Sequence, residues 1–147
     1  MAIEIKLIKF DKIQFSYKDT DETLIYKNIN IKIDFNFLYI LNDNNLHVKF
    51  HLIYDYKSDE LELPELITLS FITVYNIRNI EEVYDHELKK LKLDQKLILT
   101  LLTMIIGTAR GILVVKQKET YLSDLYLPFI QADQIYNQMK EGIEVKE

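Results

Sequence analysis

The sequence predicts an α+β domain in which a four-stranded antiparallel sheet is followed by a long helix and a short C-terminal helix. Three observations carry this prediction. The first half of the chain alternates apolar and polar residues with a period of two, which is typical of half-buried strands. A nearly continuous apolar stretch, residues 97–115, then shows helical spacing. A shorter amphipathic stretch follows Pro128 near the end of the chain.

The first two predicted strands lie on either side of a polar turn at residues 18–22. The first spans residues 3–17, and its apolar residues keep one parity except at Ile8 and Phe10, which predicts a bulge or a strong twist near residues 9–11. The second has the clearest alternation in the chain. Its apolar face consists of Ile29, Ile31, Ile33, Phe35 and Phe37.

The third and fourth strands are predicted on either side of a loop that includes Pro64. A run of Asn and Asp at residues 42–45 predicts a tight turn, because both residue types tolerate the left-handed backbone conformation. The third strand follows over residues 46–57, and the fourth spans residues 66–77. The fourth strand has apolar residues on both faces, so we expect it to be central or covered.

A charged connector at residues 81–93 is predicted to lead into the long helix, with Asp94 as its N-cap. Apolar residues lie on nearly all sides of this helix, whereas one sheet can cover only one side. We therefore expect a second subunit to contact it. The predicted interface consists of Leu97, Leu101, Met104, Ile105, Gly107 and Gly111.

Two features of the long helix leave alternatives open. Its length would allow it to span a bilayer, but Arg110 lies inside it and the lysines at its two ends give no orientation signal, so we expect no membrane insertion. Gly107 and Gly111 are one turn apart. They either let two helices approach closely or accommodate the sheet and mark the weakening of the helix.

The C-terminal region is predicted to form a short helix over residues 131–140. Its apolar stripe consists of Ile135, Tyr136 and Met139, and Gly142 is expected to end the helix. Residues 143–147 are expected to be a loose tail.

Composition limits the function classes. The 147 residues predict one domain, residues 1–147, and the net charge of −5 disfavours a nucleic-acid partner. The chain contains no Cys, so disulfides and thiolate metal sites are excluded. No signal-peptide pattern is present at the N-terminus, and we expect a cytoplasmic protein.

No group of residues predicts catalysis or metal binding. His47 and His51 share a strand face but lie about 13 Å apart along it, too far to bind one zinc ion, and His86 lies elsewhere in the chain. Acidic pairs such as Glu81 and Glu82 fall in polar connectors without the burial that shifts a catalytic pKa. We therefore expect no enzymatic activity, no cofactor and no metal.

Aromatic residues are numerous for one small sheet. They form either the core with scattered surface tyrosines, or an apolar groove for extended chain segments, where a tyrosine ring buries area while its hydroxyl stays hydrated. The residues in question are Tyr26, Phe35, Phe37, Tyr39, Tyr54, Tyr56, Tyr75 and Tyr136.

The order of these elements resembles the SecB family of export chaperones. The resemblance rests on the first strand at residues 3–15, the segment Gly-Thr-Ala-Arg-Gly-Ile at 107–112 and the Leu-Pro step at 127–128. It implies an ATP-independent holdase that binds unfolded preproteins as a homotetramer, a dimer of dimers. The stretch at residues 112–126 is longer than in the best-known members and resembles variants with a Lys-rich segment.

The resemblance also implies partners and a site. SecB proteins bind clients in apolar grooves that face outward. Here the groove would be formed by the crossover after the first strand, the second strand and the last helix: Leu24, Ile25, Tyr26, Phe35, Phe37, Ile135, Tyr136 and Met139. The best-known members bind the motor SecA through a longer C-terminal tail. SecA is therefore a candidate partner, but residues 143–147 do not resemble the SecA-binding tail. The alternatives are a SecB-like chaperone dedicated to one client, such as an antitoxin, and a non-chaperone α+β domain that binds a small ligand.

Overall fold

The computed structural model describes residues 2–20, 23–118, 120, 127, 130–139 and 141–147. Seven strands and two helices follow one another in these residues, and a single 3-10 turn, Tyr26–Asn28, precedes the second strand. The elements in chain order are β1 (Glu4–Tyr17), β2 (Ile29–Ile40), β3 (Asn45–Lys57), β4 (Glu62–Arg78), β5 (Tyr84–Asp85), β6 (Lys90–Leu91), α1 (Gln95–Gln117), α2 (Ala132–Asn137) and β7 (Ile143–Lys146).

The strands form one sheet in the order β1-β4-β3-β2-β7-β6-β5. All neighbours are antiparallel except β2 and β7, which run parallel. The prediction of an α+β domain with a four-stranded antiparallel sheet is therefore wrong. The sheet is seven-stranded and mixed, and the chain is mostly β, with one long helix and one short helix.

The three additional strands explain the error. β5 and β6 have two residues each, too few for an alternating pattern, and they lie in the segment predicted to be a charged connector. β7 lies in the segment predicted to be a loose tail. Pairing with neighbouring strands makes these segments strands, and they are too short for their residue pattern to predict a strand.

The four long strands lie close to their predicted positions. β1 pairs with β4 along its whole length, and the register shifts between Leu7 and Lys9 and again between Asp11 and Gln14. The two shifts lie on either side of the predicted bulge. The tight turn between β2 and β3 has its left-handed residue at Asn44, with φ of 56°.

The core lies between α1 and one face of the sheet. This face presents alternate residues of β2, β3 and β4, of which Tyr39, Phe50 and Leu69 are fully buried. The opposite face is polar on β2, where Asn30 and Lys32 are exposed. On β2 this face is therefore open to solvent, whereas on β4 it is more covered, with Val74 only 2% exposed.

The helices differ from their predicted boundaries. Asp94 is the N-cap of α1, as predicted, although its side chain makes no capping hydrogen bond. α2 ends at Asn137, earlier than predicted, so Gly142 does not end a helix. Gly142 has φ of 101° and lies immediately before β7. The prediction of a loose tail after it is wrong.

Candidate functional site

The long helix α1 has a buried inner side and an exposed outer face. On the inner side Leu102, Ile105 and Ala109 are fully buried against the sheet. Between Lys96 and Lys116 the helix carries one charged residue, Arg110, which is half-buried. We define the outer face of α1 as Thr100, Thr103, Met104, Gly107, Gly111 and Val114, all of which are exposed.

The outer face is flatter and less polar than its sequence suggests. The hydroxyls of Thr100 and Thr103 each donate a hydrogen bond of 2.8 Å to the backbone carbonyl four residues earlier. Their hydroxyls are therefore satisfied within the helix. A Cβ built at Gly107 or Gly111 would meet nothing within 4 Å. The face thus combines small residues with the exposed apolar side chains of Met104 and Val114.

The structure divides the predicted interface residues into two groups. Met104, Gly107 and Gly111 lie on the outer face. Leu101 and Ile105 instead bury their side chains within the chain's own core, where they are 3% and 0% exposed. Leu97, the remaining member, is half-buried and packs against the core.

β1 forms a second exposed apolar surface. It is the edge strand of the sheet, and in the described part of the chain it pairs only with β4. Five of its large apolar side chains are between 38% and 49% exposed, because α1 does not reach over this edge: Leu7, Ile8, Phe10, Ile13 and Tyr17. Sequence analysis did not predict this surface. The break in alternation at Ile8 and Phe10 could have indicated it, because it puts apolar side chains on both faces of β1.

The crossover between β1 and β2, predicted to form one wall of a groove, exposes two of its three apolar side chains. Ile25 is 52% exposed and Tyr26 is 45% exposed, whereas Leu24 is half-buried against the core. The Tyr56 hydroxyl accepts a hydrogen bond of 3.3 Å from the backbone N–H of Ile25, which ties the crossover to β3. Ile25 and Tyr56 also line an open, mainly polar cavity of about 630 Å³ beside the loop at residues 57–61.

The remaining groove residues lie along the flank of the core. Phe35 is half-buried, Phe37 is 8% exposed, and the Phe35 ring lies 5.3 Å from the ring of Phe50. On α2 and just after it, Ile135, Tyr136 and Met139 are half-buried against the same core. None of the described residues of α2 lines the cavity at the crossover, so the structure brings both predicted walls to the core without joining them in one cavity.

Burial separates the two interpretations of the aromatic residues. Phe37, Tyr39, Tyr54, Tyr56 and Tyr75 are all less than 9% exposed and belong to the core. Only three of the eight are accessible, and these belong to the crossover, the flank of β2 and α2: Tyr26, Phe35 and Tyr136.

Desolvation by burial raises the pKa values of three core tyrosines. Burial raises the pKa of Tyr54, whose hydroxyl has no hydrogen-bond partner among the described residues. Burial, and then the negative charge of Glu81, raises the pKa of Tyr39. Burial also raises the pKa of Tyr75, against a smaller lowering by its hydrogen bond with Thr73. These pKa shifts result from packing in the core, and all three side chains are buried away from solvent.

The described residues bring together no recognisable catalytic or metal-binding group. No cluster of three His, Asp or Glu side chains among them is placed to hold a metal ion. His47 and His51 lie on the open face of the sheet, and the exposed His86 stacks 4.4 Å from the ring of Tyr84. By length and composition α1 is able to cross a membrane, a property that buried helices of soluble proteins share, and 39% of its most apolar window is buried.

Comparison with known proteins gives no family assignment. The chain matches no protein-family model and has no significant match among curated proteins. The resemblance to the SecB family therefore remains a prediction from the order of elements and the short segments in this sequence.

Proposed function

We propose that this protein is an ATP-independent holdase chaperone, similar to SecB, that assembles with copies of itself and binds unfolded polypeptides. The observation that carries the proposal is the distribution of exposed apolar side chains. They form separate surfaces on β1, the crossover and the outer face of α1, whereas scattered single apolar residues are normal on a monomer. Large exposed apolar patches mark sites of interaction with other polypeptides, and we infer such sites where these side chains cluster.

Two of these surfaces suit self-association. The six residues of the outer face of α1 are uncharged, although the half-buried Arg110 lies in the same stretch of helix, and the glycines let a second helix approach closely. At β1, antiparallel pairing with a second copy about Phe10 would place Lys9 opposite the partner's Asp11, which pairs opposite charges twice. Two different self-complementary surfaces on each protomer are what a dimer of dimers requires.

The third surface suits client binding. Ile25 and Tyr26 are exposed on the crossover, and the half-buried Phe35 lies further along β2. Met139, after α2, has an unbranched side chain that adapts to many shapes. An unfolded client would contact several such sites on an assembly, so weak binding at each site would add up to strong binding.

Suppression of aggregation tests the proposal. Purified protein is mixed with reduced, carboxymethylated α-lactalbumin or with a thermally unfolding enzyme, without nucleotide, and light scattering is followed. We expect suppression at a fixed stoichiometry of assembly to client. Normal aggregation of several unrelated clients would contradict a general holdase, whereas suppression of one co-purifying client alone would indicate a dedicated chaperone.

The cavity at the crossover supports the second candidate function, a small-ligand-binding domain. Its lining is mainly polar, with Ser58, Asp59 and Glu60 beside Tyr56. It is open to solvent, whereas small-molecule sites usually bury most of the ligand in an apolar enclosure. The same aggregation assay separates the candidates, because a small-ligand domain has no reason to bind unfolded chains.

A further inference from the structure

The C-terminal strand β7 occupies one end of the β2 edge. β2 has twelve residues, and residues 38–40 pair in parallel with residues 144–146 of β7. The other nine residues of β2, 29–37, have no strand partner on this edge in the described part of the chain. β7 therefore lies in the row that an extended polypeptide would enter if it added a strand to β2.

β7 also carries the side-chain pattern of an extended apolar ligand. Ile143 is 2% exposed and Val145 is half-buried against the core, whereas Glu144 and Lys146 are exposed. The backbone N–H of Leu41 donates a hydrogen bond of 2.8 Å to the carbonyl of Lys146. Backbone hydrogen bonds hold β7 to β2, and the alternate apolar side chains of β7 pack against the core.

β7 restrains α2 through a short connection. Six peptide steps separate Asn137, the last residue of α2, from Ile143, so the connection spans at most about 20 Å when fully extended. It is also wound into turns, with Met139 N–H donating to the carbonyl of Tyr136 at 2.8 Å and Gly142 N–H donating to that of Met139 at 3.1 Å. While β7 is paired, α2 is therefore held close to the sheet.

The end of the connection is adapted to this arrangement. Gly142 has φ of 101°, a conformation that side-chain-bearing residues rarely adopt. A Cβ at this position would lie 3.3 Å from the carbonyl oxygen of Leu91 and 3.3 Å from side-chain atoms of Lys90 and Lys92. The chain passes close to β6 here before it joins β2.

We propose that β7 is a latch on the client-binding surface. When paired, it closes the end of the β2 edge and holds α2. When released, it lengthens the free edge of β2 from nine residues to twelve and frees α2 to move. A four-residue strand opens locally at a lower free-energy cost than the long central strands. This inference rests on the proposed holdase function, because it concerns the access of extended clients to the same surface.

A disulfide lock tests the latch in the chain of 147 residues. Lys90 and Glu144 are opposite each other in the antiparallel β6–β7 pair, and the N–H of Val145 donates to the carbonyl of Lys89 at 3.2 Å. This bond makes Lys90 and Glu144 a non-hydrogen-bonded pair, whose Cα atoms come closest. Lys90→Cys/Glu144→Cys should therefore form a disulfide, and the natural chain has no Cys to interfere.

The expected result is a redox-dependent change in client binding. With carboxymethylated α-lactalbumin, which has no free thiols, the oxidised protein should associate about tenfold more slowly than the reduced protein, because its binding-competent state is depleted. Reduction should restore the rate. Equal rates in the oxidised and reduced forms, with the wild type binding normally, would overturn the latch. Absence of client binding by the wild type would instead overturn the holdase proposal and the latch with it.

A matched pair of substitutions tests whether releasing β7 speeds client binding. Ile143→Thr removes the buried anchor of β7, whereas Glu144→Thr places the same residue at the neighbouring exposed position. Circular dichroism establishes that both variants keep the sheet and α1. Ile143→Thr should bind the client severalfold faster, and Glu144→Thr should match the wild type. Unchanged or slower binding by folded Ile143→Thr would contradict the proposal.

Discussion

The hydroxyl of Tyr39 on β2 donates a hydrogen bond of 2.9 Å to the backbone carbonyl of Ile77 near the end of β4. Tyr39 is fully buried, and its hydroxyl also lies 3.2 Å from the Oδ1 atom of Asn44 in the β2–β3 turn. One phenol thus ties together two strands that are not neighbours in the sheet. Tyr54 on β3 is equally buried, but in the described part of the chain its hydroxyl has no hydrogen-bond partner.

These two tyrosines predict opposite effects of the same substitution. Tyr39→Phe leaves a buried carbonyl with a lost partner and should lower the free energy of unfolding by about 1–3 kcal/mol. Tyr54→Phe removes an unsatisfied hydroxyl and should be neutral or slightly stabilising. Urea unfolding at one protein concentration, followed by circular dichroism, measures both. Equal destabilisation by the two variants would contradict this prediction.

Alkaline pH is predicted to destabilise the fold. Burial raises the pKa of Tyr39, Tyr54 and Tyr75 in the folded state, while in the unfolded state these phenols ionise near pH 10. Above that pH the unfolded state binds fewer protons, so stability is fully present below about pH 10 and falls as the pH rises further. Urea midpoints between pH 8 and pH 11 should show this loss, and Tyr54→Phe should reduce it. A pH-independent midpoint would contradict the assignment.

The long strands could be predicted from the sequence because each has its own periodic pattern. In β3, residues from Leu46 to Tyr56 alternate with the register that the structure shows, and all of its inward-facing residues are buried. The short strands could not be predicted in this way. Ile143 and Val145 have the right alternation for β7. Four residues nevertheless form a strand only by pairing with strands on both sides, here β2 and β6.

The candidate surfaces were predictable only in part. The apolar crossover was recognisable because Ile25 and Tyr26 lie between polar segments, and both are exposed. For α1, the sequence indicated an excess of apolar surface but not its direction. Ile105 and Met104 are adjacent in sequence, yet one is buried in the core and the other is half exposed, because the position of the sheet fixes the rotation of the helix.

Self-association is predicted to depend on the outer face of α1. Met104→Asp places a carboxylate on this face, where burial against another copy would cost several kcal/mol, whereas the isolated fold loses little because Met104 is 50% exposed. Sedimentation should show smaller assemblies with unchanged circular dichroism. Ile105→Ala is the contrast, since loss of this buried side chain should cost about 2–5 kcal/mol of stability. An unchanged assembly for Met104→Asp would exclude this interface.

Client binding is predicted to depend on the crossover. Ile25→Ser/Tyr26→Ser removes two exposed apolar side chains, so it should leave the fold and the assembly unchanged. Loss of these contacts should raise the amount of protein needed to suppress aggregation severalfold, because apolar area buried against the client contributes about 25 cal/mol per Å². Leu88→Ser is the matched control, since Leu88 is 62% exposed but lies in the turn between β5 and β6. Suppression by the double variant at the wild-type ratio, or an equal loss in Leu88→Ser, would remove the crossover from the client-binding surface.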